Sequence, residues 1–174
     1  MRTVLARAVI SSGVVFVTAA IGACGGNELV GVGSGSATGS NQAANEAEYD
    51  IAVKKWQANA PAHYEIVYQQ TCECSTDLQR PTRVTVRRTN GQDVIEAVAD
   101  AATTPRPVTD ERRQAAKSVD GLLVIVNQGL SLNPQDARVT YDPTLGYPLS
   151  INIDPTSVPG DEIVFKVTSF VTLP

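Results

Sequence analysis

The chain contains three cysteines, and two of them stand one residue apart in the stretch TCECSTD. Cys72 and Cys74 could form a disulfide, contribute to a metal site or remain two separate thiols. A disulfide joins Cα atoms about 4.4–6.8 Å apart, and residues i and i+2 of an extended strand lie about 6.6 Å apart, at the upper edge of that range. A Cys72–Cys74 bond therefore requires a bend at Glu73, next to the turn-forming residues Ser75-Thr76-Asp77.

The third cysteine, Cys24, follows a segment organised like a secretory signal peptide. Two arginines flank the start of a mostly apolar run, residues 8–23, which is shorter than the roughly 20 residues of a membrane-spanning helix. The run ends in Ile21-Gly22-Ala23-Cys24, an order similar to the lipobox of bacterial lipoproteins. We predict that residues 1–23 are a signal peptide and that Cys24 becomes an acylated N-terminus carrying palmitate. One alternative is ordinary cleavage, for example after Ala20, which would leave Cys24 as a free thiol; the other is a retained N-terminal anchor helix, which the short run and the small residues at its end disfavour.

A flexible tether is predicted between the lipid and the folded part of the protein. Residues 24–44 are rich in glycine and serine and offer little to bury. Such linkers behave as flexible coils, and about 20 residues span roughly 25 Å on average. The sequence therefore predicts a single globular domain, residues 45–174, that hangs a short distance from a membrane surface.

The composition excludes several classes of function. Removal of the signal peptide leaves 12 basic and 18 acidic residues, a net charge of about −6, and an acidic chain without a basic stripe is not expected to bind nucleic acid. A small group of basic residues lies close together in the sequence, Arg83, Arg87 and Arg88. We interpret these residues as a solvent-exposed face of a strand. The motifs G-x-S-x-G, H-E-x-x-H and G-x-x-x-x-G-K are missing from the sequence. We therefore expect no catalytic residue, no cofactor and no metal.

The hydrophobic pattern changes period several times within residues 45–174. Tyr49, Val53 and Trp56 recur at helical spacing, and Asn45 has capping-box spacing to Glu48. The segment HYEIVYQQTCEC alternates, and the segments RVTVRR and QDVIEAV flank a hairpin turn predicted from its Asn-Gly pair. A second helix is predicted after Ser118 from its apolar stripe, although LLVIV could equally be a buried strand. The segments ARVTY, YPLSINI and EIVFKVTSF then alternate again.

The element order αβββαβββ predicts an α+β fold. Runs of consecutive strands favour an antiparallel sheet of about six strands, with the two helices packed on one face. The predicted core residues are Trp56, Tyr64, Leu149, Ile151 and Phe165, and the predicted turn residues are Gly91, Pro143 and Gly146.

Several of these features together resemble a family of exported bacterial proteins, often lipoproteins, catalogued as domain of unknown function 6174. The resemblance covers roughly residues 45–170 and implies a compartment and a fold, since the family has no assigned activity. It rests on the features Trp56, Tyr64, Cys72-x-Cys74, the valine-rich hairpin, Tyr141-Asp142, Gly146-Tyr147-Pro148, Asp154 and Asp161-Glu162.

With Cys24 acylated, Cys72 and Cys74 form an even pair in an oxidising compartment, which favours a disulfide. A buried reduced pair and a metal or redox site remain alternatives. A structural zinc site requires four ligands, and the one histidine, His63, falls on the opposite strand face from Cys72. Calcium could be suggested by the acidic positions, but their spacing fits no calcium loop, and the Asp-Pro pairs among them fit type I turns. These positions are Asp142, Asp154, Asp161 and Glu162.

The sequence therefore predicts a lipoprotein of the cell envelope, facing the periplasm or the cell surface. Its domain is expected to be a non-catalytic binding or structural module, with an envelope protein or a glycan as a partner. The alternative is a periplasmic thiol-redox or metal-handling protein that uses Cys72 and Cys74. Solvent exposure of the two sulfur atoms separates the two hypotheses, because buried sulfurs could not react.

Overall fold

The computed structural model describes the backbone of residues 38–174 and the side chains from residue 41 onward. The predicted signal peptide, the acylation site Cys24 and tether residues 24–37 lie outside the described residues. No helix of the described part is long and apolar enough to cross a membrane. The elements in chain order are α1 (Thr38–Asn59), β1 (His63–Thr71), β2 (Thr82–Thr89), β3 (Gln92–Asp100), α2 (Asp110–Ala115), α3 (Val119–Ser131), β4 (Asp136–Tyr141), β5 (Pro148–Asp154) and β6 (Ile163–Thr172).

All six strands form one antiparallel sheet in the order β3-β2-β1-β6-β5-β4. The sheet consists of two three-stranded meanders, β1 to β3 and β4 to β6, that meet where β1 pairs with β6. At that junction Ile66 lies opposite Phe170. The predicted α+β class and antiparallel sheet are confirmed, and β3 and β4 are the two edge strands.

The hairpin between β2 and β3 has the predicted turn. Asn90 and Gly91 both adopt positive φ angles, 52° and 77°. A two-residue turn of this kind matches the twist of the flanking strands, and asparagine and glycine tolerate positive φ better than other residues. Local backbone chemistry therefore determines this part of the fold.

The first helix begins earlier than the sequence predicts. Asn45 was expected near the N-terminus of α1, but the helix begins at Thr38 and includes residues 38–44 of the predicted tether. Contacts with distant residues accompany the extra turns, since the Gln42 side chain donates to Asn133 Oδ1 at 2.8 Å. Asn45 does not cap the helix, because its amide donates to the carbonyl of Ala137 at 3.0 Å. Tertiary contacts here override weak local helix propensity.

Residues 38–174 form three helices where the sequence predicts two. The additional helix, α2, is a short one that begins after Thr109, whose hydroxyl accepts a hydrogen bond from Arg112 N at 3.2 Å. The predicted helix α3 is confirmed, with Ser118 as its N-cap accepting from Gly121 N at 3.2 Å. Its predicted apolar stripe is buried, which excludes the interpretation of LLVIV as a strand.

The core lies between the helices and one face of the sheet. Trp56 from α1 is 1% exposed, and its ring meets Tyr64 edge-on at a centroid distance of 5.4 Å. Of the predicted core residues, Leu149 is half-buried and the others are buried. The opposite face of the sheet carries charged and polar side chains, as expected for a sheet with helices on one side. Those exposed side chains include Arg83, Arg87, Lys166 and Ser169.

Candidate functional site

Cys72 and Cys74 are joined by a disulfide just after β1 ends. Their Cα atoms lie 5.2 Å apart, shorter than the spacing of an extended strand. The backbone therefore bends at Glu73, as the sequence predicts. Gln79 Nε2 stabilises this bend by donating hydrogen bonds to the carbonyls of Cys72 at 3.1 Å and Cys74 at 3.2 Å.

The loop that contains the disulfide contacts the loop between β5 and β6. Gly160 has φ of +94°, and a Cβ atom at this position would lie 2.5 Å from Cδ of Glu73. A side chain at residue 160 would therefore collide with the Glu73 carboxyl group unless that side chain moved. The loop that carries the Cys72–Cys74 bridge therefore packs against the β5–β6 loop at this end of the sheet.

An open apolar cleft lies beside the disulfide, and we call it the bridge cleft. It encloses about 360 Å³ between α3 and the paired ends of β1 and β6. Leu132, just beyond α3, is 60% exposed at its wall. Both cysteines are half-buried, and Cys72 belongs to the wall. The cleft is lined by Gln70, Thr71, Cys72, Ile125, Gln128, Gly129, Leu132, Glu162, Ile163, Val164 and Phe165.

His63 does not join the cysteines. It lies at the opposite end of β1, where Nδ1 is 3.0 Å from the carbonyl oxygen of Pro174 and Nε2 is 3.2 Å from Glu96 Oε2. Nine residues of extended strand separate it from Cys72, a distance of about 30 Å. Across residues 38–174, no group of three histidine, cysteine, aspartate or glutamate side chains is arranged to hold a metal ion.

Three of the four acidic residues considered for calcium accept local hydrogen bonds in turns and loops. Asp142 Oδ1 accepts hydrogen bonds from Thr144 N at 3.0 Å and Leu145 N at 2.7 Å, which confirms the predicted turn. Asp154 makes no such bond within the described part, and its Oδ1 is buried without a partner there. In the β5–β6 loop, Asp161 accepts from the Thr156 hydroxyl, and Glu162 accepts from Gly160 N.

The profile of a family of unknown function, DUF6174, matches residues 48–172. The chain belongs to this family. The DUF6174 region runs from α1 to the end of β6 and includes the whole sheet, the disulfide and the bridge cleft. Comparisons with curated proteins and with solved structures find no match.

A buried polar network ties the helices of the DUF6174 domain to the β2–β3 hairpin. Arg88 Nη1 donates to Asp93 Oδ1 at 2.7 Å and contacts both carboxylate oxygens of Asp120, at 3.1 and 3.2 Å. The Tyr64 hydroxyl donates to Asp93 Oδ2 at 2.6 Å and accepts from Val119 N at 3.0 Å. Burial, and then the Asp93 carboxylate, raise the pKa of Tyr64, so its hydroxyl stays protonated. The first turn of α3 is held in place by these bonds.

A second buried network anchors the long connection between β3 and α3. Arg112 is 1% exposed and donates to Thr82 Oγ1 at 3.0 Å and to the carbonyls of Arg80 and Pro81. Asp100 accepts from Arg80 Nε at 2.8 Å and from the backbone N–H groups of Ala102 and Arg106. Burial alone would raise the pKa of Asp100, but these hydrogen bonds and the nearby Arg112 lower it to about 2.

Neither network was predicted from the sequence. Most of the partners are far apart in the chain, and nothing in the spacing of Arg88 and Asp120 predicts their contact. Arg88 and Asp93, by contrast, lie opposite each other across the predicted Asn90-Gly91 turn. The position of Asp120 at the start of α3 could also be predicted, because Asp120 follows the N-cap Ser118 and acidic residues are favoured in the first turn of a helix.

Proposed function

We propose that this chain is a lipid-anchored protein of the bacterial cell envelope whose DUF6174 domain binds a ligand without transforming it chemically. The anchor is supported by the sequence Ile21-Gly22-Ala23-Cys24, by the apolar run that precedes it and by the glycine- and serine-rich residues that follow. In this arrangement Cys24 carries the lipid. The domain then lies a short distance from the membrane surface, where a partner can bind it.

The bridge cleft is the observation that carries the binding proposal. Its wall is mainly apolar and includes the exposed Leu132 and the half-buried Cys72 of the disulfide. Ligand sites are typically concave, mainly apolar and supplied with a few polar groups that set orientation. Gln70, Gln128 and Glu162 are the polar groups of this wall. We infer that the ligand is an envelope protein or another envelope component that inserts an apolar group here.

The non-catalytic part of the proposal is supported by how the buried charges are used. Asp93, Asp100, Arg88 and Arg112 each bond to backbone groups or to side chains that position helices and loops. General acid–base catalysis requires a titratable group within hydrogen-bond reach of a substrate. These four groups are already engaged in holding the fold together.

Binding in the bridge cleft is tested with N-phenyl-1-naphthylamine, a neutral dye that fluoresces in apolar surroundings. We expect saturable fluorescence with the full chain and loss of that signal in Leu132→Asp, because a carboxylate disfavours an apolar ligand. Val124→Asp is the matched control, since Val124 is also an exposed apolar residue of α3, at 53% against 60% for Leu132, and does not line this cleft. Equal dye binding by the two variants would contradict the proposal.

The anchor is tested by detergent-phase partitioning. The wild-type protein should enter the detergent phase, and Cys24→Ala should move to the aqueous phase and retain its signal peptide. Wild-type protein that partitions into the aqueous phase would contradict lipidation.

A second candidate function, thiol–disulfide exchange, is favoured by the position of the bridge on the cleft wall. A partner thiolate would attack one cysteine sulfur, form a mixed disulfide and release the other sulfur as a thiolate. A second partner thiol would then attack the mixed disulfide, leaving Cys72 and Cys74 as thiols and the partner as a disulfide, a two-electron transfer. The exchange also runs in reverse: in Cys74→Ser the Cys72 thiolate would attack a partner disulfide, release one partner thiolate and remain as a mixed disulfide that no Cys74 thiol can resolve. Such an adduct should accumulate in envelopes if this exchange occurs and should be missing if the domain only binds.

A further inference from the structure

Helix α1 lies beside the edge strand β4, and two of its side chains donate to carbonyl groups on this strand or just beyond it. Asn45 Nδ2 donates to the carbonyl of Ala137 at 3.0 Å, and Lys55 Nζ donates to the carbonyl of Pro143, just beyond the strand, at 2.9 Å. Ten residues of helix separate the two side chains, a distance of about 15 Å. The helix is thus held against the strand at both ends of this interval, and the middle is open.

The open interval is a cleft of about 330 Å³, which we call the edge cleft. Ile51 is 54% exposed on its helix side, and the buried Val139 lies on its strand side. The edge cleft shares no lining residue with the bridge cleft. It is lined by Glu48, Ile51, Ala52, Lys55, Val139, Thr140, Tyr141, Asp142 and Pro143.

The strand side of the edge cleft presents backbone groups that no other described strand pairs with. Within residues 38–174, β4 pairs only with β5, so alternate residues direct their N–H and C=O groups away from the sheet. The carbonyl of Ala137 is one of these outward groups, because it accepts from the Asn45 side chain. Alternation along the strand then directs the N–H and C=O of Val139 outward as well. The N–H donor and the C=O acceptor of Val139 can therefore both form hydrogen bonds with the backbone of another extended segment.

A side-chain hydroxyl beside this edge also lacks a partner. The hydroxyl of Tyr141 is buried and has no hydrogen-bond partner within the part of the chain that the structure describes. A buried polar group without a hydrogen-bond partner is energetically unfavourable. Burial first, then the neighbouring Tyr49 and Glu48, raise the pKa of Tyr141, so the hydroxyl keeps its proton and can donate.

The charges at the edge cleft favour a basic ligand. Within the described residues, Glu48 is exposed and forms no ion pair, and Asp142 bonds only to backbone N–H groups. The one cation of the lining, Lys55, is already bonded to the carbonyl of Pro143. A lysine or arginine on the ligand would complement the two carboxylates.

We propose that the edge cleft binds a short extended peptide of a partner protein, which pairs with Val139 and adds to the sheet beside β4. An apolar side chain of that peptide fills the space against Ile51, and a neighbouring lysine or arginine faces Glu48. Addition of a strand in a groove between a helix and a sheet edge is an established mode of peptide recognition. The site is independent of ligand binding in the bridge cleft.

A library of random seven-residue peptides displayed on phage tests this proposal against the full chain purified in detergent. We expect enrichment of alternating sequences that contain an apolar residue next to lysine or arginine. A synthetic peptide of the enriched sequence should bind Ile51→Asp at least about tenfold more weakly, because the new carboxylate occupies the apolar space. Val124→Asp on α3 is the control and should bind within about twofold of wild type.

Backbone methylation of the same peptide distinguishes strand addition from side-chain docking. N-methylation of the amide that faces Val139 should abolish binding, whereas N-methylation of the next amide, which faces away, should not. The proposal is wrong if no sequence is enriched, if Ile51→Asp binds the peptide as wild type does, or if both methylated peptides bind equally. It is also wrong if the chain alone forms an oligomer that Ile51→Asp dissociates, because a second copy would then be the occupant.

Discussion

Trp56 Nε1 of α1 donates a hydrogen bond of 2.8 Å to Asp120 Oδ1 of α3, and this bond joins the two long helices above the sheet. The indole is 1% exposed, and the Arg88 guanidinium lies over its ring at 5.5 Å. Asp120 in turn accepts from Arg88 and from the backbone N–H of Asp93. One tryptophan therefore supplies both apolar area to the core and a donor to the polar network that holds the start of α3.

Trp56→Ala should destabilise the domain severely. Truncation of a core tryptophan typically costs about 3–5 kcal/mol, a large part of the stability of a domain of this size. Trp56→Phe keeps much of the apolar area and loses the hydrogen bond, so its cost should be clearly smaller. Urea unfolding followed by far-ultraviolet circular dichroism measures both. Equal stability of Trp56→Ala and wild type would show that this side chain does not hold the core.

Gly146 brings the β4–β5 turn against α1. It has φ of +83°, and a Cβ atom there would collide with the carbonyl oxygen of Ala52. Gly91 is a matched control, because it has φ of +77° and no atom within 4 Å of a built Cβ. We expect Gly91→Ala to cost about 1–2 kcal/mol through φ alone, and Gly146→Ala about 1–3 kcal/mol more. Trp56 fluorescence during urea unfolding reports both, and similar costs would mean that the contact with Ala52 is readily relieved.

Asp100 should make stability depend on pH in the acid range. Its pKa in the folded protein is about 2, against about 3.9 for an unperturbed aspartate, because its hydrogen bonds outweigh the effect of burial. A carboxyl group with a lowered folded pKa stabilises the protein above its unfolded pKa, and that contribution is lost as the pH falls through the folded pKa. Asp100→Asn should therefore be less stable than wild type at pH 7, and the gap should close between about pH 4 and pH 2. A gap that stays constant from pH 5 to pH 2 would contradict this assignment.

The Cys72–Cys74 bridge should contribute little to stability. The chain-entropy model gives less than about 2 kcal/mol for a loop this short, so the Cys72→Ser, Cys74→Ser double variant should unfold at nearly the wild-type urea concentration. Intact mass without reductant should be lower by two hydrogens than that of the reduced chain. Two alkylatable thiols in protein taken directly from envelopes would show that the bridge does not form in the cell.

The local features of the fold could be predicted from the sequence. The Asn90-Gly91 turn, the Ser118 cap and the stripe of α3 each depend on residues close together in the chain, so their chemistry is visible there. The α+β class follows from the order of periodic segments. The bend at Glu73 could also be predicted, since cysteines spaced one residue apart cannot bond comfortably on a straight strand.

The features that were missed depend on contacts between distant residues. The start of α1 at Thr38 accompanies bonds from Gln42 to Asn133 and from Asn45 to Ala137, about 90 residues away. The short helix α2 is held through Arg112, whose partners lie on the loop before β2 and at its start. Each cleft is a space left between a helix and the sheet, so it depends on residues from several segments of the sequence.

The most direct test of the central claim is the mass of the N-terminal peptide of the mature protein isolated from bacterial membranes. Our account predicts a peptide that begins at Cys24 and carries a diacylglyceryl group on its sulfur, with palmitate among the acyl chains. A mature chain that begins upstream of Cys24, or one that carries Cys24 as an unmodified thiol, would contradict it.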